Sequence, residues 1–458
     1  MKYKTQDWQK HLRSDVTGIW PPISHEKNAS LVALLHQLFR TERMPAVNLA
    51  RRQYQQLSLL CQFVAAHSSH FADKFKQAGL NASEINSPAA LSQLPTLTRR
   101  ELQAAGERFF CDKLPPSHGN FGTTSTSGSS GEPVVVRRTE LNHRFWIAHT
   151  LREHIWHGRD FSQKLAVIRA SDKTEAVDNP NWGIPVAMLF NTGTSHSMPI
   201  NTDIEVQAKW LLAHNPAYIL TYPTNLDALL TTFKRSNIKL SNLKQIRTIG
   251  ETLQSSLRER VSAELGIGCA DSYSSQELGY IALQCPVSGL YHTMSETLIV
   301  EVLNEQGQAC REGEIGRVVV TDLCNYATPL IRYDIGDYAE VGGICSCGRT
   351  LPTLKRIYGR ERNMLKLPDG RQHWPLVGFQ QYRAVAPVLQ YQLIQKSLTH
   401  IEVRLVLEQA LSPNQQAALS GVIQSSLGYP FTLNFVFFEH AIPRSKGGKF
   451  EEFVCEIA

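Results

Sequence analysis

No long apolar run interrupts this 458-residue chain. One of its more apolar stretches, Leu59 to Ala66, is broken by Gln62 and stopped by His67, far below the length of a membrane span. The opening segment, MKYKTQDWQKHLRSDVTGIW, holds no apolar core of signal-peptide length. Cysteine is sparse: nine scattered residues are too few for the disulfide framework of a secreted protein. Charge of one sign is sparse as well. The formal net charge is +6, and the excess is not gathered into a basic block interleaved with aromatics, which argues against nucleic acid as a partner. A cytoplasmic protein with no membrane partner is expected, and its mild positive field suits small anionic ligands. Also missing are internal repeats, heptads, low-complexity tails and the G-x-x-x-x-G-K-[ST] pattern of a Walker-type phosphate loop.

What is present is globular. Hydrophobic residues make up 42% and charged residues 19%, ample for the two or three cores that a chain of this length needs. Residues 27–110 read as mostly helical, with Leu31, Leu34, Leu35, Leu38 and Phe39 at helical spacing, and again Leu57, Leu60, Phe63 and Val64. From about residue 120, short bounded runs alternate with helical stretches. The runs include LAVIRA (165–170), AYILTYP (217–223), IRTIGE (246–251) and ADSYSS (270–275); the helical stretches include 204–214 and 252–265. That alternation predicts an α/β fold with parallel strands. ETLIVEVL, GRVVVTDL and LIRYDIGDYAEV, within 296–340, read as antiparallel strands. The last hundred residues hold HIEVRLVLE and FTLNFVFFE on either side of one helical segment. The expected organisation is a large N-terminal domain (1–358) of α/β layers with a β-rich part at about 296–358, then a small α+β domain (359–458).

Five segments carry chemistry. TSTSGSSGEPVVVRR, Thr124 to Arg138, begins with eight residues that are all Ser, Thr or Gly and runs into a β-branched strand. Its N–H groups and hydroxyls can wrap a phosphate, although a flexible linker has the same composition. DSYSSQE, Asp271 to Glu277, offers Tyr273 to stack on a flat base and Glu277 to a Mg2+ that also touches phosphates; a core tyrosine and a solvated glutamate are the plain alternative. In PLIRYDIGD, Asp337 follows Gly336 on an expected turn, where it can accept from a ribose diol or serve only the turn. YGRERNML sets Gly359-Arg360 at the expected domain boundary, or is simply a charged linker. PRSKGGKF sets Lys449 in a Gly-rich loop close to the C-terminus, where basic residues are commonly solvated.

In order and spacing these segments resemble the adenylate-forming (acyl-activating) enzymes, and within them the phenylacetate–CoA ligase branch, from about residue 90 onward. The resemblance implies roles. Ser127, Gly128, Ser129, Ser130 and Gly131 would grip the phosphates of ATP. Gly250, Glu251 and Thr252, with Asp271, Ser272, Tyr273 and Ser274, would line the adenine pocket. Glu277 would hold Mg2+, Asp337 would bind the ribose hydroxyls with Arg360 nearby, and Lys449 would neutralise charge as a carboxylate attacks the α-phosphate. The small C-terminal domain would then rotate to admit a thiol. Glu132 stands where the superfamily often has lysine, and Glu361-Arg362-Asn363 and KLPDGRQHWP depart from the branch around the hinge.

The C-x-C of GGICSCGR (Cys345, Cys347) lets two thiolates converge on one ion, and Cys285 with His292 in CPVSGLYH completes a tetrahedral set; four unrelated side chains are the alternative. The sequence is similar to members of the phenylacetate–CoA ligase-like group that carry zinc at such positions, which implies a structural Zn2+ pinning two active-site loops together. His154 and His157 share a helix face, where satisfied or solvated histidines are expected rather than a metal. The family's corresponding helix borders the acyl pocket, which puts Phe145 or Trp146 near substrate. Cys61, Cys111, Cys269, Cys310, Cys324 and Cys455 read as ordinary thiols. The implied activity is ATP- and Mg2+-dependent conversion of a small carboxylic acid, aromatic by resemblance, to its acyl adenylate and then to a coenzyme A thioester. Transfer to an amine or to the thiol of an acyl carrier protein is the alternative, and a catalytically silent, zinc-stabilised nucleotide-binding protein is a second.

Overall fold

The computed structural model describes residues 8–126, 134–360, 364–373, 375, 379–445 and 448–457. Residues 127–133, with the Ser127–Gly131 loop and Glu132, lie outside them, as do 361–363.

The chain opens with helices α1 (Glu26–Thr41), α2 (Ala46–His67), α3 (Ser69–Gln77), α4 (Pro88–Ser92) and α5 (Arg99–Ala105). The expected apolar stripe of α1 turns Leu31, Leu35 and Leu38 inward, and that of α2 turns Leu57, Leu60 and Val64 inward. A hairpin follows, β1 (Phe121–Thr126) antiparallel to β2 (Val134–Thr139), with the undescribed residues 127–133 between its strands. Thr139 then caps α6 (Glu140–Trp156) through a reciprocal capping box with Asn142.

The next elements build one twelve-stranded sheet. They are β3 (Leu165–Arg169), β4 (Val177–Asn179), β5 (Ser195–Pro199), β6 (Tyr218–Thr221), β7 (Gln245–Ile249) and β8 (Gly268–Ser275), with helices α7 (Val186–Leu189), α8 (Ile204–His214), α9 (Pro223–Arg235) and α10 (Ser255–Leu265) between them. Strands β5, β3, β6, β7 and β8 run parallel in that spatial order. Buried residues such as Ile168, Ile219 and Ile246 join Leu226, Leu229 and Val261 of the covering helices in one core. Sequence patterning placed β3, β6, β7, β8, α8 and α10 within a few residues, and did not single out β4, β5, α7 or α9. Asp203 caps the N-terminus of α8, and Asn215, left-handed at φ 43°, ends it.

Beyond β8 the sheet turns antiparallel without a break. It continues through β9 (Gly279–Gln284), β10 (Tyr291–Thr293), β14 (Thr353–Arg360), β13 (Tyr333–Val341) and β12 (Ile315–Asp322) to β11 (Leu298–Leu303). The expected β-rich part is therefore the far wing of the same sheet. Buried Arg152 of α6 fastens helices to this wing, pairing with Glu296 at 2.6 Å and donating to Leu38 O at 2.6 Å. A fully buried guanidinium is tolerable only when paired in this way.

The C-terminal part is a separate α+β unit. After the small hairpin β15 (Leu365–Lys366) and β16 (Gln372–His373) come α11 (Phe379–Val385), β17 (Val388–Ser397), β18 (His400–Leu407), α12 (Pro413–Leu427), β19 (Thr432–Phe438) and β20 (Phe453–Cys455). The sheet order is β19-β18-β17-β20. Helix α12 makes the crossover between parallel β18 and β19, buried through Leu419, Ile423 and Leu427. No helix among the described residues is long and apolar enough to cross a membrane.

Candidate active site

The expected nucleotide-site residues that are described gather at one end of the sheet, around the carboxyl ends of β7 and β8. Gly250 follows β7 at φ 78°. A Cβ there would crowd the Tyr222 ring at 3.1 Å and stand in ordinary contact with Lys449 Cε at 3.5 Å, so the positive φ and Tyr222 call for glycine beside the C-terminal loop. The next residue, Glu251, is the anchor of that loop. Its carboxylate accepts from Thr224 N at 3.0 Å and Thr224 Oγ1 at 2.8 Å on α9, and from Arg444 Nη1 at 3.3 Å and Phe450 N at 2.6 Å. Burial raises its pKa, and the Arg444 guanidinium opposes that rise. Thr252 Oγ1 lies 3.0 Å from where a Cβ of Gly359 would stand.

On β8, Asp271 is buried and accepts from Thr248 Oγ1 at 2.7 Å and Tyr291 OH at 2.8 Å, tying β7, β8 and β10 together. Ser272 is buried too, its Oγ without a partner among the described residues, whereas Ser274 is half-buried and pairs with Tyr280 across the sheet. Tyr273 sits in the core with its hydroxyl donating to Asp337 Oδ2 at 2.9 Å. Asp337 is not on a turn. It lies within β13, after a kink at Gly336 (φ 76°), and its partner across the ladder is Arg360. Nor is Arg360 in a linker: it is the last residue of β14, its Nε 3.9 Å from Asp337 Oδ1. Burial pushes the Asp337 pKa up against the opposing pull of Arg360.

Glu277 follows β8, buried, with Arg99 Nη1 of α5 at 3.3 Å. Lys449 arrives from the C-terminal unit. Its ammonium is lowered in pKa first by burial and then by Arg360, while Asp337, Glu277 and Glu251 pull the other way. Residues from β7, β8, β13, β14 and the loop before β20 thus converge, though Glu251 and Lys449 are far apart in sequence. Ser445 N and Oγ both donate to Lys449 O at 3.0 Å, and Arg444 Nη1 to Gly448 O at 3.2 Å, which shapes the loop.

A narrow cleft lies beside Glu277. Asn142, Phe145, Trp146 and His149 of α6, at i, i+3, i+4 and i+7, form one wall. The other is the start of β9, where Gly279 (φ 75°) lets Arg138 approach: a Cβ would stand 3.0 Å from Nη2. Trp146 and Tyr280 stack at 6.5 Å. His154 and His157, by contrast, are buried in a network around Glu153, Arg159 and Arg247.

The four residues read as a metal set do meet. Cys345 Sγ is 3.7 Å from Cys285 Sγ, and Cys347 Sγ is 3.3 Å from His292 Nε2. All four ligand atoms lie within 4.8 Å of one another. Ligands at the usual zinc distances on a tetrahedron stand roughly 3.5–3.8 Å apart, so the donor set fits the ion. His292 Nδ1 faces Leu351 O at 3.2 Å, which orients the ring for Nε2 ligation, and Arg349 N donates to Cys347 Sγ at 3.4 Å. The cluster joins the β9–β10 turn to the loop before β14. Asp178, His196 and His214 form a second group, but His196 is already engaged by Asp178 at 2.6 Å and Thr194 at 3.1 Å.

Sequence reasoning missed Arg99, Arg138, His149, Asp322 and Arg444. Arg138 and Arg444 stand inside the quoted motifs, and a charged residue at the end of an apolar strand was the available signal for the first.

No protein-family model matches the chain. Phenylacetate-coenzyme A ligase from Thermus thermophilus is 22% identical over 71% of this chain and 73% of its own length. The Escherichia coli phenylacetate-coenzyme A ligase is 22% identical over 68% and 71%, and protein CapK of Staphylococcus aureus 21% identical over 87% of both. Among solved structures, 2-hydroxyisobutyryl-CoA ligase in its postadenylation state superposes with a TM-score of 0.71 at 18% identity, covering 91% of each chain. The same enzyme in its thioesterification state gives 0.60 at 19% identity and the same coverage. A benzoate CoA ligase from Burkholderia xenovorans gives 0.51 at 14% identity, covering 74% of this chain and 69% of its own. The fold is that of the adenylate-forming ligases, and the chain is a distant homologue of the phenylacetate–coenzyme A ligases and of CapK.

Proposed function

We propose that the protein activates a carboxylic acid with ATP, as the acyl adenylate, and passes the acyl group to coenzyme A. One observation carries the reading: Lys449 is brought from the C-terminal unit into the same charged environment as Asp337, Glu277 and Glu251. A carboxylate and ATP are both anions, so joining them needs fixed positive charge where the phosphorane develops. Lys449 supplies it on this reading, Asp337 takes the ribose hydroxyls, and Ser127–Gly131, outside the described residues, take the phosphates. Glu277 is the residue to hold the Mg2+ that accompanies ATP, which neutralises phosphate charge, with Arg99 releasing it. Ser272, Ser274 and the Gly250–Thr252 segment border the base.

The better superposition on the postadenylation state than on the thioesterification state supports assigning this arrangement to the first half-reaction. For the second, we place the hinge at Gly359–Arg360, with residues 359–458 swinging to withdraw Lys449. The Cys285–His292–Cys345–Cys347 set takes zinc in this proposal, and with four protein ligands its role is structural. Relatives named for phenylacetate favour an aromatic acid.

The test is carboxylate-dependent ATP–pyrophosphate exchange over a panel of acids, with Lys449→Ala alongside. Exchange stimulated by one acid and lost in the variant supports the reading; no exchange together with no ATP binding ends it. A second acceptor, an amine or carrier-protein thiol, is favoured by Glu361-Arg362-Asn363 and KLPDGRQHWP, which depart from the branch next to the proposed hinge. Product analysis with all three acceptors separates them.

A further inference from the structure

Arg99 is the first residue of α5, with Nη1 3.3 Å from Glu277 Oε1, and its guanidinium also bonds the Tyr333 side chain. The backbone before it fixes its place. Leu97 forms an isolated bridge with Tyr333: Leu97 N donates to Arg332 O at 2.8 Å, and Asp334 N to Leu97 O at 2.9 Å. Arg332, left-handed at φ 51° and buried, grips the same segment by donating to Ser92 O at 2.9 Å and to Leu94 O at 2.5 Å. A non-glycine residue keeps such a backbone only where its surroundings over-determine it. Helix α5 packs against β2, the strand that follows the Ser127–Gly131 loop in the chain, and against β13, the strand of Asp337. Arg99 is thereby anchored among the elements that carry the proposed phosphate, ribose and Mg2+ ligands.

The two arginines are held differently. Arg332 pairs with Glu301 through two nitrogens, at 3.0 and 3.1 Å, and is 4% exposed. The Arg99 side chain is 24% exposed and meets Glu277 through Nη1 at the longer distance. Its backbone is clamped while its head can turn. Glu277 cannot hold Mg2+ and keep this cation as its partner, so Arg99 must find another anion when ATP is bound. The triphosphate is that anion, and it carries more negative charge than Mg2+ and Lys449 together offset. As a carboxylate oxygen bonds to the α-phosphorus, the bond from that phosphorus to the bridging oxygen breaks. Pyrophosphate leaves with the electron pair, so charge grows on the leaving side. A planar guanidinium fork matches two phosphate oxygens at once. The other guanidiniums close to Glu277 and Asp337 are engaged at fixed points: Arg138 donates to Glu277 O at 3.4 Å, and Arg360 faces Asp337 across the ladder.

Resting on the adenylation reading above, we propose that Arg99 is a phosphate-binding catalytic residue, which leaves Glu277 as ATP and Mg2+ arrive and takes hold of the β- and γ-phosphates that depart as pyrophosphate. Lys449 then serves the α-phosphate and Arg99 the leaving group, and the Arg99–Glu277 pair is the resting form of the site.

The experiment is titration calorimetry of the full chain at saturating Mg2+, with ATP, AMP and inorganic pyrophosphate as the three probes. Arg99→Met is expected to weaken ATP and pyrophosphate by about tenfold or more and to leave AMP within about twofold. Arg99→Lys, which keeps the charge and loses the planar fork, is expected to fall between wild type and Arg99→Met. A folded Arg99→Met that keeps the wild-type affinity for ATP and pyrophosphate overturns the proposal. An equal loss for AMP overturns it too, since that is the mark of a pair that only fastens α5 to the sheet. Where Arg99→Met does not fold, Arg99→Lys decides by the same comparison of ATP with AMP. Exchange assays run beside the titrations separate the two readings. Acid-stimulated exchange, with ATP affinity untouched in Arg99→Met, sinks the Arg99 assignment alone. ATP held through Arg99 with no exchange for any acid counts against adenylation and leaves Arg99 standing, and absence of binding by both ATP and pyrophosphate ends both.

Discussion

Two places in this protein join distant segments, and they do so by opposite means. The Cys285–His292–Cys345–Cys347 cluster ties two loops of one sheet through soft ligands that would share a single ion. The Glu251 contact ties the large domain to the C-terminal unit through hydrogen bonds and one guanidinium, Arg444. The first is built to stay shut. The second is a set of individually modest bonds, which can be exchanged for water and remade. On the function proposed above, a fold that must hold its sheet rigid while releasing a lysine needs both kinds of joint, and would keep them on different residues.

That contrast can be broken in four ways. Stripping the proposed zinc with a chelator, or Cys345→Ser, should cost several kcal/mol and up to roughly 10, read as a lowered thermal midpoint with metal content falling from one equivalent. Lys449→Ala should leave the midpoint unchanged within error and cut ATP–pyrophosphate exchange by about 10²–10³-fold. Thiolysis of chemically supplied acyl adenylate should survive in that variant. Arg444→Met leaves the buried Glu251 carboxylate without its cation, at a cost of about 3 kcal/mol to the docked arrangement. Exchange should fall while large-domain unfolding, followed separately, is unchanged. A matching loss of both would erase the distinction drawn here.

The last concerns pH. Burial pushes the Glu452 carboxyl up to about 7, and Asp227 and Glu251 of the large domain add to the rise, against a bond from Tyr391. Its folded value lies above the unfolded one of about 4.3, so folding favours the protonated form. That contribution is complete below about pH 4 and is lost as the pH climbs through 7. Glu452→Gln should therefore remove about 3–4 kcal/mol of pH dependence over that window, measured by denaturation at a series of pH values. A metal cluster fails in the opposite direction, releasing its ion as acid protonates the thiolates.

Much of the fold was legible because its signals are local. The parallel strands are short apolar runs between helices with caps such as Asp203 and Asn215, and α8 falls at 204–214 as patterned. Strands β9, β10 and β14 were not legible. GYIALQ, YHT and TLKRIYGR carry no clean alternation, and only their pairing in the sheet makes them strands. The same reason hid the true setting of Asp337. Gly-Asp is ordinarily a turn, and only the ladder with β14 holds it in a strand. The described residues among those expected in the site, such as Glu251, Asp337 and Lys449, lie near one another. Arg99, His149 and Asp322 were missed because each is ordinary in its own segment and becomes chemical only through neighbours brought from elsewhere.

The register of Asp337 against Arg360 has a mechanical consequence. Strand β14 ends on the rung that holds the proposed ribose ligand, so with the hinge proposed at Gly359–Arg360 the pivot and the nucleotide would share a single pair of residues. Torque that turned the C-terminal unit would then be applied at that pair, and a ligand that stiffened the pair would resist it. Occupancy would then be written directly into angle, with no relay of intervening side chains to carry the message.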